Sequence, residues 1–138
     1  MKRLAPAALL LASLLAPSAA QAQEQELPAN DPRAGLLLGD ETLPGVSIAG
    51  MWAPRRDECF GPGMVTLTPR SLSGLGMACA FDRIVRKGGV VIFHGTCDRG
   101  QGAMPESVET ILVSSKISFG FARAGNTIEA LSRCLHPQ

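Results

Sequence analysis

The sequence predicts an all-β domain: a small antiparallel up-and-down β-barrel or sandwich of about seven strands, stapled by two disulfides. Three observations carry this. Short runs of β-type residues recur at roughly ten-residue spacing, separated by glycine-rich or polar turns. No stretch after residue 46 keeps a helical period. Four cysteines, an even number, fall within those same runs and turns.

The chain opens with the three parts of a secretory signal peptide in order. Lys2 and Arg3 supply positive charge, Leu4 to Ala16 an apolar run, and Ala20-Gln21-Ala22 a small-x-small cleavage site. An apolar run of 13 residues is shorter than the roughly 20 that a membrane-spanning helix needs. Residues 1–22 are therefore expected to be removed, leaving a periplasmic or secreted protein with no membrane anchor. Residues 23–45 hold Gln23-Glu24-Gln25-Glu26, prolines at 28, 32 and 44, and the single apolar patch Leu36-Leu37-Leu38. So polar and Pro-broken a stretch is expected to be a flexible arm. The β domain then covers 46–138.

Seven strands follow in order: Val46 to Ala53, Met64 to Thr68, Met77 to Val85, Val90 to Cys97, Ser107 to Val113, Lys116 to Ala122, and Thr127 to Leu135. Alternation marks the second, with Val65 and Leu67 on one face and Thr66 and Thr68 on the other. Ser114-Ser115 makes a tight turn between the fifth and sixth. Gly74-x-Gly76 and Gly100-x-Gly102 have no helix after them, so they mark turns rather than phosphate loops. Between the third and fourth strands, a three-residue Lys87-Gly88-Gly89 loop would set Cys79 opposite Cys97, Phe81 opposite Gly95 and Val85 opposite Val91. A two-residue Gly88-Gly89 loop would slide the cysteines apart.

Cys59, Cys79, Cys97 and Cys134 are expected to form structural disulfides, which persist outside the cytoplasm. Each is worth roughly 3 kcal/mol. The sequential pairing, Cys59–Cys79 with Cys97–Cys134, is preferred over Cys79–Cys97 with Cys59–Cys134. A zinc site from His94, Cys97, Cys134 and His136 is disfavoured, because positions 94 and 97 of one strand point to opposite faces. Met51, Met64, Met77 and Met104 fall one per segment, as core fillers do, without the clustering of a copper site. No cofactor and no metal are expected.

Chemistry-bearing patterns are sparse. There is no G-x-S-x-G elbow, and the acidic pairs Asp40-Glu41 and Asp57-Glu58 are adjacent in sequence rather than opposed. With every cysteine oxidised, no thiolate nucleophile remains. His94 is the best single candidate for acid–base work, with a polar residue at the core's rim as the plainer explanation. Removing Lys2 and Arg3 leaves 11 basic against 12 acidic residues, a formal charge of −1, which offers no footprint for nucleic acid. The nine arginines after residue 22 sit mostly at strand ends and turns. Arginine forks pair well with carboxylates. The expected partner-binding residues are therefore the arm together with Arg55, Arg56, Arg99, Gln101 and Met104.

Ile48-Ala49-Gly50-Met51-Trp52, then Cys59, Met64-Val65-Thr66-Leu67-Thr68 and Cys79, resembles the opening of bacterial periplasmic inhibitors of secreted metalloproteases. The likeness spans about 30 residues; the Trp–Cys spacing differs, and that family has one disulfide. It implies a small antiparallel barrel whose flexible N-terminal trunk enters a protease cleft. The chain is similar in size and type to periplasmic lysozyme inhibitors too, but lacks their Ser-Gly…Tyr loop, having no Tyr. The expected function is non-enzymatic: binding a protein partner, a hydrolase, and inhibiting it by occlusion. The alternative is carriage of a small apolar ligand inside the barrel. Cleavage after Ala22 predicts an exported chain whose intact mass corresponds to a start at Gln23; a periplasmic product still beginning at Met1 would contradict it.

Overall fold

The computed structural model describes residues 3, 23–41 and 43–135. The expected signal peptide, apart from Arg3, and His136 lie outside them. Among the described residues there are nine strands: β1 (Glu24–Pro28), β2 (Gly50–Ala53), β3 (Val65–Leu67), β4 (Ser71–Gly74), β5 (Met77–Lys87), β6 (Val90–Asp98), β7 (Ala103–Val113), β8 (Lys116–Phe121) and β9 (Thr127–Arg133). Strands β2 to β9 pair antiparallel in succession, and β9 returns to β2 through Trp52↔Arg133 and Ala53↔Ser132. The result is a closed eight-stranded up-and-down barrel with β1 added outside the cycle. Closure removes the free edges that an open sheet would leave.

All seven expected strands form, and two more appear. β4 has a single buried apolar side chain, Leu72, among serines and a glycine, so its composition is that of a turn. β1 is polar and ends in proline, yet pairs along its length with β5, from Glu24↔Lys87 to Pro28↔Arg83. β5 makes room for both. Its first half pairs with β4, from Ser71↔Ala80 to Gly74↔Met77, and its second half with β1 on the same edge.

Alternation points one side of each strand inward. Trp52, Val65, Leu67, Leu72, Phe93 and Phe119 are fully buried and fill the centre, each worth roughly 1.5–3 kcal/mol. The Trp52 indole donates to the Ile48 carbonyl at 2.9 Å, so its one polar atom is satisfied.

The β5–β6 hairpin combines the two expected registers. At its tip Lys87 pairs with Val90, so the loop is the two-residue Gly88-Gly89. Beyond a β-bulge at Asp82 the register shifts by one, and Cys79 meets Cys97 while Phe81 meets Gly95. Val85 consequently faces Ile92, not Val91. The bulge also switches which residues of β5 point inward: Cys79 and Phe81 before it, Ile84 and Arg86 after it. Gly95 lies against this crossing. A Cβ there would fall on the Ala80 carbonyl oxygen and 2.8 Å from Phe81 Cα.

The preferred disulfide pairing is corrected accordingly: the bonds are Cys79–Cys97 and Cys59–Cys134. Cys79 and Cys97 are cross-strand neighbours, which leaves neither available to the others. Cys134 follows β9, where its amide donates to Met51 of β2, and Cys59 lies in the loop that leaves β2.

The flexible arm is also corrected. Besides β1, residues Ala29, Ala34, Leu37 and Leu38 are buried, the last three in a 3-10 turn over Ala34–Leu38. Arg86, inward-facing at one barrel mouth, holds this segment in place. Its guanidinium donates to the carbonyls of Leu37 (2.9 Å), Gly39 (2.6 Å) and Gly88 (3.0 Å), and pairs with Glu41 at 3.1 Å. Main-chain carbonyls compensate the partly buried cation. The Gly95 contact predicts that Gly95→Ala lowers unfolding free energy by about 2–3 kcal/mol in urea titration. Gly35→Ala, whose added Cβ meets no atom of the described residues within 4 Å, should stay close to the parent.

Candidate functional site

Arg99, Gln101 and Met104 belong to the β6–β7 hairpin. Two glycines with left-handed backbone, Gly100 (φ 97°) and Gly102 (φ 96°), shape its turn. The Asp98 carboxylate accepts from both of their amides, at 2.8 and 3.2 Å, so the loop is held from within. The Arg99 guanidinium lies 5.0 Å from the Phe121 ring centroid and 3.8 Å from the Glu106 carboxylate. Gln101 and Met104 are exposed.

Glu106 closes the barrel mouth beneath this hairpin. Its side chain is only 2% exposed and accepts from the backbone amides of Ser107 (3.0 Å), Arg123 (2.7 Å) and Ala124 (3.2 Å). The carboxylate thus ties the β8–β9 loop to β7, with Arg99 as a partial counter-charge.

Arg55 and Arg56 lie in the β2–β3 loop. Arg55 pairs with Asp57 at 3.5 Å and Glu58 at 3.1 Å, both exposed contacts of small energy. Arg56 makes no ion pair among the described residues. It lines a cleft of about 240 Å3 with Ser114, Ser115 and Lys116 of the β7–β8 hairpin and Ser132 and Arg133 of β9. The expected binding residues are therefore not one surface. Arg56 lies by the first residue of β8 and Arg99 by its last, about 16 Å apart at the rise of a strand. Sequence reasoning missed Lys116, Ser132 and Arg133, which share no motif with Arg56. Their only signal was position at strand ends.

His94 is half-buried on β6 and its Nδ1 lies 2.8 Å from the Ser107 hydroxyl across the β6–β7 ladder. Asp82, Arg83 and Arg123 line the open groove beside it. Burial, then the Arg83 charge, hold its pKa below the ordinary histidine value. The ring is thus mostly neutral at pH 7, with Nδ1 in a hydrogen bond to Ser107. Cys97 and Cys134 are disulfide-bonded, so neither offers a thiolate to a metal beside His94.

Comparison with known protein families, curated proteins and solved structures finds no match. The lowered His94 pKa makes a signed prediction. As pH falls below about 6.5, the unfolded chain takes up the His94 proton before the folded one does, so stability declines towards the folded pKa. Urea midpoints measured from pH 7.5 to 5 should fall less in His94→Gln than in the parent; parallel curves would contradict the assignment.

Proposed function

We propose that this chain is an exported, non-enzymatic binding protein of the periplasm or extracellular space that inhibits a hydrolase by occlusion. Two disulfides belong to an oxidising compartment, and among the described residues no helix is long and apolar enough to cross a membrane. The observation that carries the reading is the β6–β7 hairpin around Arg99–Met104. It is exposed at Gln101 and Met104, yet braced beneath by Asp98 and by the Arg99–Phe121 contact. A loop ordered before binding loses little freedom when it enters a partner's cleft. The arm, being paired and partly buried, is not proposed as the occluding trunk.

The filled interior favours external binding over carriage. The recess beside Arg86 and Thr110 holds about 50 Å3, whereas small-molecule sites run from about 300 Å3 upward. The test is capture from periplasmic extract on immobilised mature protein, followed by assay of the captured hydrolase. The parent should suppress turnover of its macromolecular substrate. Gln101→Ala with Met104→Ala should weaken inhibition at least tenfold, about 1.4 kcal/mol, with melting unchanged. Full inhibition by that variant would remove the hairpin from the reading, and no captured hydrolase would count against inhibition itself.

A further inference from the structure

The cleft beside Arg56 has a composition that the fold does not require. Three cations line it, Arg56, Lys116 and Arg133, against one carboxylate, Asp40. Arg133 and Asp40 are already committed to each other at 3.4 Å, with Asp40 only 1% exposed. Arg133 is fixed further by donation to the Ser47 carbonyl at 2.7 Å and by stacking 4.3 Å from the Trp52 ring centroid. That leaves Arg56 and Lys116, both exposed and in no ion pair among the described residues, facing one recess with a surplus of two positive charges. Like charges brought together without a counter-charge repel each other. A bound anion would relieve this.

Three further features point the same way. Ser114, Ser115 and Ser132 line the recess, and serine hydroxyls are neutral donors. Leu43 and Leu135, 44% and 68% exposed, form an apolar rim. The Cys59–Cys134 disulfide joins the two walls: Cys59 is three residues from Arg56, and Cys134 lies between Arg133 and Leu135. The walls are thus spaced before any ligand arrives.

We propose that this disulfide-braced cleft is a binding site for an organic oxyanion, a carboxylate or phosphate group carried on an apolar body. Arg56 and Lys116 supply the charge, the serine hydroxyls donate to the remaining oxygens, and Leu43 and Leu135 cover the apolar part. The site lies away from the β6–β7 hairpin, so it stands or falls independently of the inhibitory reading.

The test is titration of the mature, oxidised protein, followed by amide chemical shifts, with N-acetylleucine, phenyl phosphate and neutral N-acetylleucinamide. At least one anion should produce saturable shifts at Ser115, Lys116 and Arg133 that weaken with added salt, and comparison of the two anions tells carboxylate from phosphate preference. The neutral amide should produce none there. Arg56→Ala with Lys116→Ala should reduce affinity at least tenfold while the remaining spectrum shows an intact fold, and Gln101→Ala with Met104→Ala should leave it unchanged. The proposal is overturned if neither anion saturates these amides, if the neutral amide binds equally, or if the Arg56/Lys116 variant binds like the parent.

Discussion

The β-bulge at Asp82, set against Gly95, is the constraint on which the rest of this barrel depends. One unpaired residue in β5 reverses the facing of everything after it. Without it, continued alternation from Cys79 and Phe81 would turn Arg83 and Lys87 inward and Ile84 outward. With it, Ile84 packs in the core, Arg86 enters the barrel mouth, and Cys79 still meets Cys97. The bulge is tolerated because the opposed residue has no side chain. Disulfide, core and mouth closure therefore share one local irregularity.

The two mouths are closed by opposite charges with the same logic. Arg86 gathers main-chain carbonyls of the N-terminal segment and of the β5–β6 turn. Glu106 gathers main-chain amides of the β8–β9 loop. Each charge is stabilised by backbone dipoles, so a loop or segment becomes part of the barrel wall. This turns residues 24–41 from an appendage into structure. It also leaves the outer surface as the face open to partners, since side chains such as Trp52, Phe93 and Phe119 fill the interior.

On that surface, the β6–β7 hairpin and the Arg56 cleft are both shaped before any partner arrives. Asp98 and Phe121 hold the first, and the Cys59–Cys134 bond holds the second. Rigid display of exposed polar groups lowers the entropy lost on binding. The disulfides thus do more than offset a modest core. One pins the central hairpin, and the other sets the width of a charged recess.

The sequence by itself determined the all-β class, the meander order, seven of the nine strands and the presence of two disulfides, because these follow from local alternation, turn chemistry and cysteine parity. It also placed Arg56 and the Arg99–Met104 stretch in turns between strands, since turn chemistry is legible one segment at a time. Tertiary structure alone decided the rest. β1 and β4 have compositions that mark no strand, and are held by pairing with the two halves of β5, β4 with β3 besides. The disulfide pairing depended on a bulge that is accommodated by Gly95 on the opposite strand. The cleft draws Asp40, Arg56, Lys116 and Arg133 from four separate segments, and only closure of β9 onto β2 brings them together. Pairings between distant residues carry no periodic trace in the chain; they exist only once the sheet has closed.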